Sequence, residues 1–183
     1  MLLALATAAV IVHLLAGGFD MLIADLNSLN RGDFVEALGW VFEGSPWVAS
    51  RAWDARPFAT VERLLMVMTA AVERASKEEQ LALMRAHPDL GMRVRIGRAS
   101  AEEQAGAGLD ALTPEEFERI RLLNSAYRTK FGFPFLFAVK GRTKYDVLRS
   151  LEQRLEATPE AEYREALRQV YRIAELRLRA TIK

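Results

Sequence analysis

The chain has 183 residues, about half of them apolar, with 25 basic side chains against 24 acidic ones and a net charge of +1. That length can bury a core without staples and suits one soluble domain; the interspersed charge excludes a nucleic-acid partner held by a basic surface. Cysteine is absent, which excludes disulfides, thiolate metal sites and cysteine nucleophiles, and two histidines alone offer no ligand set for structural zinc.

Residues 1–18 are apolar and carry His13 but no Lys or Arg. A signal peptide has a basic start, which this run lacks. A transmembrane helix takes about 20 apolar residues, so the run is marginal for that role too. It reads as a signal-like or anchoring segment, as an extra core or dimer helix, or as an upstream extension before a start at Met21; the last is preferred because domain patterning begins near Leu22. The expected division is an extension over residues 1–21 and a helical domain over 22–183.

The body reads as helix after helix, with no period-2 strand pair closed by a hairpin turn. Asp33 is expected to cap FVEALGWVF, and Thr60 to cap VERLLMVMTAAVERA. Ser76 with Glu79 forms a capping-box pattern before QLALMRAH. That apolar pattern ends at RAHPDLG, residues 85–91. Pro88 disfavours a helical conformation at His87 and leaves a titratable imidazole at a helix exit. Such a ring is either an ordinary surface-turn histidine or a candidate for proton transfer.

From Gly91 to Gly108 the chain is glycine-rich, with little apolar content, and looks exposed. Within it, Ser100 and Glu103 have capping-box spacing. A helix N-terminus with those residues could instead receive an anionic or carbonyl-bearing ligand. Thr113, with Pro114 and Glu116, opens the next helix. The stretch KFGFPFLFAVKG, residues 130–141, cannot be helical across Pro134 and is too apolar for a solvated loop. It reads as a buried extended link whose backbone polar groups take partners from neighbouring helices and waters or from a polar ligand. Thr143 opens KYDVLRSLEQRLEA, and Thr158 with Pro159 opens the last helix.

In that last helix, with Tyr163 at zero and about 100° per residue, Leu167, Val170, Ala174, Leu178 and Thr181 fall within about 60° and form the core stripe. Arg164, Arg168, Arg172 and Arg179 fall outside it. Arg177 falls inside. A guanidinium there keeps its charge, so it needs an internal anion, a snorkelling path to water, or an anionic or carbonyl-rich ligand.

Taken in order, GDFVEALGWVFEGSPWVASRAWDARPF, HPDLG, SAEEQAGAGL, LNSAYRTKFGFPFLFAVKG and a closing RIAELRL resemble the 2-oxo-4-hydroxy-4-carboxy-5-ureidoimidazoline (OHCU) decarboxylases, from about Leu26 to the C-terminus. The resemblance implies an all-α fold, a single compact multi-helix domain, and cofactor-independent removal of CO2 from OHCU to give (S)-allantoin in urate degradation, with neither metal nor organic cofactor. It implies catalytic roles for His87, Glu103 and Arg177, and substrate contacts from Pro88, Ser100 and the backbone of Phe135, Leu136 and Phe137. It also implies a homodimer, a cytoplasmic location, a small-molecule partner, and no nucleic acid or membrane. The alternatives weighed are a non-catalytic helical adaptor, membrane attachment through residues 1–18, and action on a related ureido compound.

Overall fold

The structure, a computed structural model, describes residues 21–92 and 97–183. The apolar run over residues 1–18, and the readings attached to it, lie outside the described residues. The described residues form nine α-helices and no strand: α1 (Ile23–Ser28), α2 (Arg31–Leu38), α3 (Trp47–Ala52), α4 (Val61–Glu73), α5 (Lys77–Arg85), α6 (Arg98–Gly106), α7 (Pro114–Phe131), α8 (Lys144–Leu155) and α9 (Pro159–Thr181). The all-α expectation holds. None of the described helices is long and apolar enough to cross a membrane.

The described chain divides into two compact units. The first takes residues 21–80 and 174–183; the second takes 81–173, so α9 contributes to both. In the first unit Phe34, Leu38, Val48, Phe58, Leu64, Met68 and Leu178 are buried, with the rings of Phe34 and Phe58 stacked at 6.1 Å. Met21 is buried there too; its N–H donates to Thr181 (3.0 Å), and it accepts from the N–H of Lys183 (2.9 Å). In the second unit α7 packs on α8 around Ile120, Tyr127, Val147 and Leu151.

Most helix starts follow local capping chemistry. Thr60, Thr113 and Thr143 cap α4, α7 and α8, each accepting from the backbone N–H three residues on. Ser76 and Glu79 close a reciprocal box before α5. Three expectations need correction. α2 begins earlier: Asn30 is its cap, and Asp33 is the N3 acid whose N–H Asn30 accepts at 3.0 Å. The same helix stops at Leu38 instead of running on to Phe42. The stretch expected to be exposed from Gly91 to Gly108 contains α6, with Ser100, Gln104 and Ala107 buried along one face.

Along α9 the wet face is as expected: Arg164, Arg168, Arg172 and Arg179 are all exposed. The buried line runs through Glu162, Ala166, Val170, Ala174, Arg177 and Leu178, while Tyr163 and Leu167 are only half-buried. The stripe is therefore rotated slightly from the expected centre, and at its N-terminal end it buries an acid.

Candidate active site

His87 stands two residues beyond the end of α5 and is 6% exposed, so it is not a surface-turn histidine. Its backbone N–H donates to Met84 (3.2 Å), and its ring Nδ1 lies 3.0 Å from the Leu83 carbonyl oxygen. A carbonyl only accepts, so Nδ1 carries a ring proton. Pro88 follows and ends the helical path, as its ring requires.

The loop after His87 is pinned at four points. Asp89 accepts from Arg128 of α7 through both carboxylate oxygens, each at 2.9 Å. The Leu90 carbonyl accepts from Asn124 Nδ2 at 2.8 Å, and the Gly91 N–H donates to Gln104 Oε1 at 2.9 Å. Gly91 has φ +72°, and a Cβ there would stand 3.0 Å from Ile120 Cγ2, so any other side chain is strained. Gln104 thus joins the histidine loop directly to α6.

Ser100 is not a cap. Gly97 precedes α6, and Ser100 is its third residue, 5% exposed. Ser100, Glu103 and Gln104, at i, i+3 and i+4, share one face of the helix. The capping-box reading of Ser100 and Glu103 is therefore overturned, and a buried hydroxyl and a half-buried carboxylate stand on the helix that holds the histidine loop. Gln104 was not singled out by the sequence; its place four residues after Ser100 was the available signal.

The link after α7 is buried and extended, as expected, with Phe133, Pro134, Phe135, Leu136, Ala138 and Val139 all buried. Protein side chains supply several of its backbone partners. The Gly132 carbonyl accepts from Arg85 Nε (2.8 Å), the Leu136 carbonyl accepts from Arg154 Nη1 (2.7 Å), and the Ala138 N–H donates to Gln169 Oε1 (2.9 Å). Arg154 is itself seated by Glu162, which is 1% exposed, through Nε at 3.0 and 3.2 Å and through a close Nη2 contact; the Tyr127 hydroxyl donates to the same carboxylate. Burial first, and then the bond to Glu162, push the Tyr127 hydroxyl well above its ordinary pKa.

His87, Pro88, Ser100, Glu103 and Phe135–Phe137 all belong to the second unit. Arg177 belongs to the first and is 4% exposed, which excludes snorkelling. Its Nη1 donates to the carbonyls of Trp40 (3.2 Å) and Val41 (3.4 Å) and pairs with Glu43 Oε2 at 3.0 Å. The internal anion foreseen for this guanidinium is present. Among the described residues no cluster of His, Asp and Glu could hold a metal ion.

The second unit is thus a helical scaffold that buries an imidazole, clamps the loop after it through Arg128, Asn124 and Gln104, and clamps a backbone strap through Arg154 and Gln169. Residues 27–179 match the OHCU decarboxylase family model, and the chain belongs to that family. It is 45% identical over 159 residues to the 2-oxo-4-hydroxy-4-carboxy-5-ureidoimidazoline decarboxylase of Haloferax volcanii, covering 87% of this chain and 95% of that protein. The mouse decarboxylase is 38% identical, with 84% of this chain and 88% of that protein covered. Among solved structures, an (S)-allantoin synthase superposes with a TM-score of 0.73 at 36% identity, covering 88% of this chain. The match takes in 54% of the synthase, so this chain spans about half its length. An OHCU decarboxylase crystallised in the presence of (S)-allantoin has a TM-score of 0.63 at 24% identity, a likeness of fold.

Proposed function

We propose that this chain decarboxylates 2-oxo-4-hydroxy-4-carboxy-5-ureidoimidazoline to (S)-allantoin and CO2, in the degradation of urate, without a cofactor. The observation that carries the reading is the buried imidazole of His87, its tautomer set by Leu83, in a chain 45% identical to a decarboxylase of that name. The adaptor alternative is not favoured. The curated relatives that match this chain over most of its length carry the name decarboxylase.

The substrate's name describes its chemistry. Ring position 4 bears the carboxylate and a hydroxyl, and position 5 is the neighbouring imine carbon that bears the ureido group. Breaking the bond from position 4 to CO2 sends its electron pair into that imine, whose nitrogen takes up one proton. The enol so formed gains a proton at position 5 and loses one from the hydroxyl, which becomes a carbonyl. One proton is consumed overall, and the face protonated at position 5 fixes the enantiomer. In this proposal His87 Nε2 moves the proton, with Pro88 fixing the direction of the ring. Glu103 accepts from the ureido or ring N–H groups, and Ser100 completes the polar lining. Arg177 grips carboxylate or carbonyl oxygens with a planar fork that Glu43 orients. The backbone of Phe135, Leu136 and Phe137 contacts the ring. We further propose a cytoplasmic homodimer, testable by sedimentation and cell fractionation.

The test uses freshly prepared urate-oxidation product and follows CO2 release and the optical activity of the allantoin formed. The native protein should accelerate CO2 release and give one enantiomer; racemic product at the spontaneous rate would overturn the proposal. Arg177→Lys keeps the charge and loses the fork, so kcat/KM should fall about 10- to 100-fold, the range of one or two charge-assisted hydrogen bonds. Unchanged turnover would remove Arg177 from the site.

A further inference from the structure

The strap after α7 is clamped on both sides of one residue. Arg154 Nη1 donates to the Leu136 carbonyl at 2.7 Å. The Ala138 N–H donates to Gln169 Oε1 at 2.9 Å. The peptide group is planar, and among the described residues Arg56–Pro57 is the one cis bond, so along the strap the C=O of one residue points opposite to the N–H of the next. Fixing the Leu136 carbonyl therefore fixes the Phe137 N–H, directed away from Arg154. Fixing the Ala138 N–H likewise fixes the Phe137 carbonyl, directed away from Gln169. Both peptide planes that flank Phe137 are set by side chains gripping the far atom of each plane.

Each clamp is itself held. Arg154 is gripped by the buried Glu162 carboxylate through two nitrogens, and its guanidinium lies 4.7 Å from the Phe135 ring centroid. Glu162 takes a further hydrogen bond from Tyr127, whose ring meets Phe135 edge-on at 5.3 Å. Gln169 Nε2 donates to Glu165 Oε1 at 2.7 Å, which sets the amide so that its oxygen faces the strap. Stability alone is a poor reason for such a network, because a buried ion pair replaced by apolar side chains of similar volume often costs nothing. What these groups control is the direction of two backbone dipoles.

We infer that Arg154 and Gln169 are positioning residues that aim the backbone N–H and C=O of Phe137 at the substrate, with Glu162 and Tyr127 seating Arg154. The inference rests on the proposed function, in which the strap touches the ring. A donor and an acceptor held on adjacent planes suit a ring or ureido amide, which presents an acceptor and a donor in return. Backbone contacts made in both ground and transition states act on KM more than on kcat.

The experiment compares steady-state decarboxylation by the native chain with that of Arg154→Lys, Gln169→Leu and, as a control, Glu116→Gln. Lysine keeps the charge facing Glu162, but a compact ammonium cannot also span to the Leu136 carbonyl. Glu116 pairs with Lys144 at 2.6 Å and boxes the start of α7, so its loss loosens the same unit without touching the strap. Arg154→Lys and Gln169→Leu should each raise KM about tenfold, with kcat within about threefold of native, while Glu116→Gln keeps the native KM. Native KM in a folded Arg154→Lys, or an equal rise in Glu116→Gln, would overturn the inference and leave the proposed function standing. A native chain with no decarboxylation would overturn that function instead. If Arg154→Lys does not fold, the paired Arg154→Met/Glu162→Met variant, which removes both charges together, takes its place; failure of both to fold assigns the network to stability and overturns the inference.

Discussion

The two non-helical segments of the second unit, the loop through His87–Gly91 and the strap through Phe133–Val139, are held in different ways. At its far end the loop is gripped by neutral amides, Gln104 on the Gly91 N–H and Asn124 on the Leu90 carbonyl, and by the close fit of Gly91 against Ile120. The strap is gripped by charge at Leu136, where a buried carboxylate seats the Arg154 that takes the carbonyl, and by the Gln169 amide at Ala138. The loop presents a side chain, so it needs a rigid Cα and a set ring direction. The strap presents peptide groups, so it needs its planes locked from both sides. What a segment displays decides what must be held still.

The largest effect that would break this comparison is at the displayed ring itself. His87→Asn should lower kcat about 10²- to 10⁴-fold, the range of a positioned acid–base group, with circular dichroism of the protein unchanged. Turnover within tenfold of native would show that the loop serves packing alone. Gly91→Ala comes next. A side chain at φ +72° costs about 1–2 kcal/mol before the crowding of Ile120 is added, so denaturant melts should show at least that loss. A neutral result would mean that the loop relaxes readily and is not rigid. Gln104→Leu should cost about 1–3 kcal/mol by stranding the buried Gly91 N–H, and should reduce activity further by unseating α6 from the loop.

The smallest effect tests the charged clamp. Tyr127 holds its proton well above the ordinary tyrosine pKa, chiefly through burial and then through Glu162. The folded state therefore keeps a proton that the unfolded chain releases above about pH 10. Its contribution is complete below that pH and is lost as pH rises past it, at up to about 1.4 kcal/mol per unit. Tyr127→Phe should flatten this alkaline loss in melts taken between pH 9 and pH 11, a window set by the same ordinary pKa of about 10. An unaltered slope would show that the hydroxyl is not held by the network.

Most of the helices were legible because their starts are local. A Thr or Ser that accepts from the N–H three residues on needs no tertiary contact to be recognised. Arg177 was legible for a related reason: its phase along α9 placed it on the apolar stripe, and the structure buries it there. The failures have tertiary causes. Ser100 and Glu103 matched a capping box, yet α6 starts two residues before Ser100 and buries that hydroxyl, because Gln104 ties the helix to the Gly91 loop. Glu162 drew no reading from the sequence, because its burial depends on Arg154 and Tyr127, eight and 35 residues away. Asn30 and Asp33 are both good caps three residues apart, and a single sequence offers no means of choosing between them. Gln104 and Asn124 went unnoticed because the backbone each grips is distant in sequence; Gln104 had only its place four residues after Ser100 to mark it.

Delivery of a proton to one face of the substrate carbon is the central step of the proposed reaction. Decarboxylation of freshly made substrate in D2O by the native chain, with the allantoin analysed for both enantiomer and deuterium, tests this directly. One enantiomer carrying a single deuterium at the newly protonated carbon is the predicted product. Racemic, deuterated allantoin formed no faster than without protein would contradict the account.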